Sequence, residues 1–464
     1  MSESKNTRRQ FLTTAAGLAA VSTAGVSAAR PASAAPRPAP HPSPQRGRVI
    51  GANDRINIGM IGVGGRGSSH VRTLNSRIEM KGDVRIVAIS DIYSKRIEAG
   101  RQNTRVDEKD VHRDYHDLLA RSDVDGVFIS TPDHWHAPMT IDAFEAGKDV
   151  YLEKPMTLTI DEAREVTRKA QQTGRVLQVG CQHTSDLSNH KARQIVEEGL
   201  IGEVLWAQST YSRNSVHGEW NYRIEEGATA EDIGWEQFLG PAPKRPFDPD
   251  RYFRWRKYWD YSGGIATDLF YHRLSPLRQI MGIEFPLRVT GNGGIYVHKD
   301  REVPDTYTST IEYANDYVVL GSSMANSAGN QHMQPVIYGH KGTITFDDGV
   351  VIVEPEWQFL DGFAEKTHAA KMYYEVEPHN MNEEHIYNFL ECMRTRQMPH
   401  CGIDLSYKVM TAIKLGVDSY REGKMMLWDP ERERRVDQAP ARQKYTGDGK
   451  NHEEPRRQGF RFGG

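Results

Sequence analysis

Short apolar runs alternate with amphipathic stretches over the first part of the chain, after a long polar and Pro-rich start. These runs are rich in Val and Ile, which is typical of buried strands. They are found at 55–61, 84–89, 126–130, 150–152 and 176–179. Helices are predicted between them, one over 138–146 that stops at Gly147 and one opened by a Thr159–Glu162 capping box that closes at Gly174. The alternation predicts a doubly wound parallel sheet.

The pattern changes farther along the chain, where β-rich segments follow one another with few helical stretches between them. These segments are found at 306–313, 317–322, 336–338, 343–346 and 350–353. We therefore expect two folded domains, over 53–180 and 181–430, and a polar tail over 431–464.

The first residues are predicted to lie outside the fold. Thr7-Arg8-Arg9-Gln10-Phe11-Leu12 is similar to a twin-arginine export signal, and Ala32-Ser33-Ala34 offers a cleavage site after an alanine-rich stretch. We expect a signal peptide over 1–34, which engages the twin-arginine (Tat) translocase, and a Pro-rich linker over 35–52. An uncleaved basic tail is the alternative. No other segment is apolar enough to span a membrane, so we expect an exported, periplasmic protein without a membrane anchor in its mature form.

The composition of the chain bears on which ligands and partners the protein is expected to bind. The net charge of −3 gives no support for binding nucleic acid or an anionic membrane. The three cysteines include no CxxC pair, which indicates neither a disulfide framework nor a zinc site. His134-Trp135-His136 offers two metal ligands, but no third ligand is evident in the sequence, so no metal is expected.

A glycine fingerprint follows the first predicted strand. Gly62–Gly67 (GVGGRG) matches GxGxxG, in which the first glycine allows a tight turn, the second lets a pyrophosphate approach the backbone, and the last lets the helix pack on the strand. Asp91 ends the next strand, where a carboxylate accepts from the ribose 2′-OH of NAD and repels the 2′-phosphate of NADP. Lys95 and Arg96 lie close by and weaken that preference. NAD is therefore the expected cofactor, with NADP less favoured.

Two loops lie at the carboxyl ends of predicted strands, where doubly wound folds bind their ligands. One is Thr131–His136 (TPDHWH) and the other is Glu153-Lys154-Pro155. They should converge on the nicotinamide ring, beside which a lysine can act as an acid or base. The residues expected to bind the cofactor are Gly62, Gly64, Gly65, Arg66, Gly67, Asp91, Thr131, Pro132, His134, His136, Glu153 and Lys154.

Taken in order, these motifs resemble the Gfo/Idh/MocA oxidoreductase family over roughly 55–429. The other matching segments are Ala146-Gly147-Lys148, 199–204 (GLIGEV), and Gly263-Gly264 leading to Asp268 and His272. The resemblance implies an α/β protein, with an N-terminal Rossmann dinucleotide-binding domain and a C-terminal α+β domain that has an open, mostly antiparallel sheet. It also implies a homo-oligomer, a dimer or tetramer, formed through the outer face of that sheet.

Three residues receive catalytic roles on this basis. Lys154 is expected to transfer the proton of the reacting hydroxyl. Asp268 and His272 are at i and i+4, so on a helix they share one face, which suits a carboxylate that orients an imidazole toward that hydroxyl. The resemblance further implies a cis Lys154–Pro155 bond.

The expected substrate contacts are Trp135, Gln182, His183, Tyr261 and Tyr271. Trp135 is expected to form a sugar-stacking wall, and His136 to cap the next helix or touch the cofactor. Two departures from the family pattern are expected to reshape the sugar pocket: Phe270, where a small residue is usual, and 182–184, where an arginine is common. The aromatic and arginine residues over 251–261 are interpreted as a pocket-lining loop or a packing cover.

The implied function is oxidation of a secondary alcohol of a sugar or cyclitol. Because no pool of soluble NAD is expected outside the cytoplasm, we expect a tightly bound cofactor that is regenerated within the site. An NAD-dependent glycosidase, which oxidises C3 transiently and breaks the glycosidic bond by elimination, is the alternative; it ranks second because Glu153-Lys154-Pro155 is the dehydrogenase-type motif. A non-catalytic cofactor or sugar sensor is disfavoured by the joint presence of Lys154, Asp268 and His272.

Overall fold

The computed structural model describes Gly51 and residues 54–438. The predicted signal peptide, nearly all of the predicted linker and most of the polar tail lie outside the described residues. Within the described part of the chain, no helix combines the length and the apolar character needed to cross a bilayer.

The first domain is a six-stranded parallel sheet with helices packed against it, which confirms the predicted Rossmann architecture. Its strands are β1 (Ile56–Ile61), β2 (Val84–Ser90), β3 (Val111–His112), β4 (Gly126–Ile129), β5 (Asp149–Glu153) and β6 (Leu177–Gly180). Its helices are α1 (Gly65–Lys81), α2 (Ser94–Thr104), α3 (Tyr115–Leu119), α4 (His136–Glu145) and α5 (Ile160–Thr173). The order β3-β2-β1-β4-β5-β6 reverses at β1, which creates a crevice at the carboxyl ends of β1 and β4.

Local signals set the helix ends in this domain. The Thr159–Glu162 capping box is present at the start of α5, and Gly174 ends that helix in the left-handed conformation, as predicted. Helix α4 begins at His136, two residues before the predicted start.

The second domain is a ten-stranded sheet. Its strands are β7 (Val204–Thr210), β8 (Arg288–Gly294), β9 (Thr306–Glu312), β10 (Tyr317–Ser323), β11 (Val336–Gly339), β12 (Gly342–Asp347), β13 (Val350–Pro355), β14 (Met372–Glu375), β15 (Met426–Asp429) and β16 (Arg434–Val436). The order is β14-β13-β12-β11-β7-β10-β9-β8-β15-β16, and among these described strands only β7 and β10 pair in parallel. The predicted open, mostly antiparallel sheet is confirmed.

One face of this sheet carries the core. Along β9, Tyr307, Ser309 and Ile311 are buried and alternate with more exposed residues, so a single face packs against helices. The helices of this half are α6 (Leu187–Glu197), α7 (Ala230–Ile233), α8 (Trp235–Leu239), α9 (Pro249–Phe253), α10 (Tyr271–Met281), α11 (Gly329–His332), α12 (Leu360–Thr367), α13 (Met381–Thr395) and α14 (Ile403–Glu422).

Two helices tie the halves together. Helix α14 packs on β8 and also on α5 of the first domain. On α13, Phe389 packs against Phe128 and Tyr151, which belong to the first sheet. The segment before α10 is thereby held over the carboxyl end of β5, where the candidate site lies.

Candidate active site

A cavity of about 810 Å³ lies at the carboxyl ends of the first-domain strands. The first domain lines it with Gly62, Gly64, Gly65, Arg66, Asp91, Thr131, Pro132, Trp135, Glu153 and Lys154, among others. The second domain contributes Tyr222, Arg223, Phe238, Tyr252, Phe253, Trp255 and Arg256. The aromatic and arginine segment was therefore correctly interpreted as pocket-lining for part of its length.

The glycine turn fits a dinucleotide pyrophosphate. Gly62 has a φ of +82°, and a Cβ on Gly67 would lie 2.0 Å from the Gly62 carbonyl oxygen, so the turn and helix α1 are too close for a side chain. In contrast, a Cβ on Gly64 or Gly65 would meet nothing within 4 Å, and both glycines line the cavity. Helix α1 begins there without an acidic residue in its first turn. Open space in front of free N–H groups suits phosphate oxygens.

Asp91 lies at the end of β2 in the same cavity. Its carboxylate accepts hydrogen bonds from the backbone N–H groups of Val63 at 2.9 Å and Tyr93 at 3.0 Å. Burial raises the pKa of Asp91 above its ordinary value, against the effect of these donors. The fixed carboxylate fits the ribose of a dinucleotide that lies on the glycine turn.

Glu225, which we did not single out in the sequence, reaches this end of the cavity from the second domain. It accepts a hydrogen bond from the Tyr93 hydroxyl at 2.7 Å and lies 3.3 Å from both Lys95 and Arg96. The two cations expected to weaken the preference for NAD are thus already paired with a carboxylate. No local motif could have revealed a contact between residues 132 positions apart.

Glu153 is buried at the end of β5 beside the cavity. Its Oε1 accepts hydrogen bonds from Arg66 Nε at 2.8 Å and from His70 Nε2 at 2.7 Å. Burial alone would raise the pKa of Glu153, but the Arg66 guanidinium and the His70 hydrogen bond hold it well below its ordinary value. The glutamate is therefore an ionised, fixed neighbour of Lys154.

Lys154 lies at the centre of a charged group formed by both domains. Its Nζ donates to Asp268 Oδ1 at 2.5 Å and to the Asp268 carbonyl at 3.0 Å, and Arg256 Nε donates to the same Oδ1 at 2.9 Å. Burial would raise the pKa of Asp268, but the Lys154 ammonium and the Arg256 guanidinium hold it well below its ordinary value. The Lys154–Pro155 bond is cis, as expected.

Asp133 is a second buried carboxyl group in this cluster. Its pKa is raised to about 8, chiefly by burial and also by Asp268, against the lowering effects of Lys154 and Arg256. We did not select Asp133 from the sequence, although it lies in the predicted ligand loop, because a sequence shows its position at a strand end and not its burial. Near Lys154 the site therefore holds two carboxyl groups with lowered pKa values, Glu153 and Asp268, and one with a raised pKa, Asp133.

The predicted Asp268–His272 pairing is wrong. Residues Ala266–Phe270 form a π-helix before α10, so the side chains at i and i+4 no longer follow α-helical geometry. Asp268 pairs with Lys154 and Arg256, while the His272 ring packs 5.6 Å from that of His183. The buried His272 Nδ1 has no hydrogen-bond partner among the residues that the structure describes. His272 is still near enough to Lys154 for the ammonium to lower its pKa, after the larger effect of burial.

His134 and His136 are buried behind the cavity lining instead of facing it. His136 bridges the two loops through Nδ1, 2.6 Å from the Pro155 carbonyl, and Nε2, 2.9 Å from the Thr131 carbonyl. His134 Nε2 lies 2.7 Å from the Phe238 carbonyl. Burial lowers the pKa of both histidines to about 4, against the raising effect of the neighbouring carbonyl oxygens. A neutral His136 ring donates to one of its two carbonyls at a time.

The predicted substrate contacts divide into two groups. Trp135 lines the cavity as expected, and His183 packs against His272. Tyr271 is a core residue whose hydroxyl donates to the Ser406 carbonyl, because the register of α10 turns it away from the cavity. Two other predicted contacts, Gln182 and Tyr261, are also buried outside the lining. Phe270 packs against Tyr307, so it does not reshape the sugar pocket.

Among the described residues, no group of three or more His, Cys, Asp or Glu side chains is placed to hold a metal ion.

Known proteins share both halves of this architecture. Residues 56–181 match the model of the oxidoreductase family GFO_IDH_MocA, NAD-binding Rossmann fold, and residues 242–427 match the C-terminal alpha/beta domain of the same family.

Curated relatives match over part of the chain. A glycosyl hydrolase family 109 protein of Shewanella baltica is 36% identical over 220 residues, which cover 44% of this chain and 45% of that protein. An inositol 2-dehydrogenase of Salmonella paratyphi B is 30% identical over 36% of this chain and 48% of that protein. The chain spans about half the length of these relatives. Among solved structures, levoglucosan dehydrogenase in complex with NADH and levoglucosan has a TM-score of 0.64 at 17% identity, over 83% of this chain and 100% of the other.

Proposed function

The chain belongs to the Gfo/Idh/MocA oxidoreductase family and binds NAD, and from this premise we propose that it oxidises a secondary alcohol of a sugar or cyclitol. The observation that carries the proposal is the position of Lys154. Its Nζ is held by Asp268 at 2.5 Å at the wall of the cavity that begins at the glycine turn. A proton-transfer group and a dinucleotide site therefore share one enclosed space.

Each residue around the cavity has a separate role in this oxidation. In its neutral form, Lys154 Nζ takes the hydroxyl proton as the C–H and O–H bonds of the alcohol break and the carbonyl forms, and in its ammonium form it returns a proton in the reverse direction. NAD, when bound, takes the hydrogen of the carbinol carbon as hydride. Asp268 fixes Nζ at the cavity, and Arg256 keeps Asp268 ionised. Trp135 and Trp255 offer aromatic surface to the apolar face of a sugar ring.

A glycosidase that oxidises C3 transiently is the second candidate. The glycosyl hydrolase family 109 relative supports it, since the matched segment is 36% identical. In that reaction a base removes the acidified C2 proton and the leaving group departs from C1. Water then adds across the double bond, with OH at C1 and H at C2, and the hydride returns to C3. We rank it second because the buried Lys154–Asp268 pair supports oxidation directly, while the C2 base remains unassigned.

The predicted export signal bears on cofactor use. We propose that the mature protein is periplasmic, that it retains NAD tightly, and that a second carbonyl compound reoxidises the cofactor in the same cavity. Glu225 supports retention, because it connects the second domain to Tyr93, Lys95 and Arg96 at the ribose end.

The test begins with protein purified without added nucleotide. We expect NAD in the extract of the denatured protein, and we expect pyranoses or inositols to reduce it, read at the NADH absorbance. Release of aryl alcohol from an aryl glycoside, with solvent deuterium at C2, would instead select the glycosidase. If no sugar, sugar acid or inositol reduced the bound cofactor and no glycoside were cleaved, both candidate functions would be wrong.

A further inference from the structure

A second charged cluster lies beside Lys154 and is not explained by proton transfer. Tyr211 directly follows β7, and its ring has two guanidinium groups close to it: Arg213 at 4.8 Å and Arg273 at 4.7 Å from the ring centroid. Arg213 also donates to the Tyr211 hydroxyl at 3.1 Å. The His272 ring lies 5.9 Å from the same tyrosine, and His272 is in the first turn of α10, directly after the segment whose Asp268 accepts from Lys154 Nζ.

This cluster has more positive charge than its neighbours balance. Among the described residues, no carboxylate lies within ion-pair distance of Arg273, and its Nε is buried without a hydrogen-bond partner. Within the described part of the chain, the carboxylate within ion-pair distance of Arg213 is that of Glu219, 3.8 Å away. The nearby Asp268 is already engaged by Lys154 and Arg256.

The two histidines leave further polar atoms open. His183 Nδ1 and His272 Nδ1 are both buried without a hydrogen-bond partner among the described residues. Burial lowers the pKa of His183 to about 4, so its neutral ring can donate one hydrogen bond without adding charge. Buried charged groups in proteins are usually paired, and a guanidinium binds carboxylates and phosphates through two parallel hydrogen bonds.

We propose that Arg273 and Arg213, with His183 and His272, bind an anionic group on the substrate. The inference rests on the proposed function and narrows it: the alcohol that is oxidised belongs to a sugar acid or a sugar phosphate. The anion supplies the counter-charge that Arg273 lacks. Trp135 and Trp255 line the cavity and remain available for the sugar ring.

The experiment compares matched sugars on the purified full chain with its bound cofactor. Glucuronate and galacturonate, glucose 6-phosphate, and the neutral glucose, galactose and myo-inositol are each tested by thermal shift and by cofactor reduction. We expect at least one anionic sugar to raise Tm and to react with a lower KM than its neutral counterpart. Arg273→Gln should raise the KM for that anion roughly 10- to 100-fold, the effect of losing a charge-assisted hydrogen bond, with little change for a neutral sugar.

Arg421→Gln is the matched control. Arg421 lies 5.0 Å from the Trp259 ring, so it also stacks on an aromatic residue, but neither residue lines the cavity. It should leave the KM for the anion unchanged. If only the sugar phosphate raises Tm and lowers KM through Arg273, the anion site binds a phosphate group. If the uronates do so, it binds a carboxylate.

Two results distinguish failure of the anion site from failure of the oxidoreductase proposal. If neutral sugars bind and react as well as the anions, or if Arg273→Gln leaves anion binding unchanged, the anion site is wrong while the oxidoreductase proposal stands. If an anion raises Tm through Arg273 but no sugar reduces the cofactor, the anion site stands and the oxidoreductase proposal is wrong.

Discussion

The cofactor end and the substrate end of the cavity are built in different ways. The cofactor end consists mainly of backbone, namely the glycine turn and the start of α1. Its one carboxylate, that of Asp91, is held in place by two backbone N–H groups. The substrate end consists of side chains from separate segments, and the Lys154–Asp268 pair joins residues 114 positions apart. The comparison teaches that a ligand bound by backbone leaves a compact sequence motif, while a catalytic group held by side chains depends on how two domains pack.

The largest expected effect is at the substrate end. Asp268→Asn removes the charge that holds Lys154 Nζ and leaves the ammonium beside Arg256, so we expect reduction of bound cofactor to slow by about 100-fold or more. The bound nucleotide should remain. The measurement is single-turnover absorbance together with quantification of extracted nucleotide.

Asp316→Asn is the control for a lost buried ion pair. Asp316 pairs with buried Arg278 at 2.6 Å, and neither residue lines the cavity. It should lower Tm and leave the rate unchanged. If bound cofactor were reduced at equal rates in the Asp268→Asn variant and the wild type, the substrate end would not depend on the contact between Asp268 and Lys154.

Two glycine variants test the cofactor end. Gly67→Ala places a methyl group against the Gly62 carbonyl, so we expect a loss of about 1–3 kcal/mol in unfolding free energy as well as weaker NADH binding. Gly64→Ala projects into open cavity space, so it should weaken NADH binding while stability changes by less than about 0.5 kcal/mol. Denaturant unfolding and NADH titration give the two quantities. Tight NADH binding by Gly64→Ala would show that the phosphates do not approach this backbone.

The sequence revealed the two ends to different degrees. The glycine turn, Asp91 and the strand-end position of Lys154 were all predicted, because each depends on neighbours within one βαβ unit. The Asp268–His272 pairing was predicted wrongly, since a π-helix at Ala266–Phe270 depends on packing that periodicity does not encode. Asp133 and Glu225 were missed because burial and contacts between distant segments arise only in the folded chain.

Substitution of Glu225 should have a smaller effect, on the choice between NADH and NADPH at the cofactor end. Glu225→Gln should free Lys95 and Arg96 for a 2′-phosphate, and we expect the affinity for NADPH relative to NADH to rise about 10-fold. Thermal shift with each nucleotide measures the change. Glu236→Gln controls for net charge, because Glu236 also lines the cavity but pairs loosely with Lys244. An unchanged ratio in the Glu225 variant would remove its role in selecting NAD.

The effect of pH on stability compares two carboxyl groups within the substrate end. The pKa of Asp133 is raised to about 8, so the folded state keeps a proton that the unfolded state loses near pH 4, and stability falls as pH rises between these values. Relative to the wild type, the unfolding free energy of Asp133→Asn should therefore rise by up to about 1 kcal/mol for each pH unit between pH 5 and 8. The Asp268 pKa is lowered, so its stability contribution is lost only below pH 4, and Asp268→Asn should give a flat difference over the same window. Parallel slopes for the two variants, from denaturant unfolding at each pH, would contradict the assignment.

The most direct test of the account is single-turnover reduction of bound NAD in Lys154→Met. If Lys154 moves the proton and the cofactor end works through backbone, the variant should carry as much NAD as the wild type and be reduced roughly 10²- to 10⁴-fold more slowly by the best sugar substrate. Reduction at the wild-type rate would show that another group moves the proton and would contradict the account.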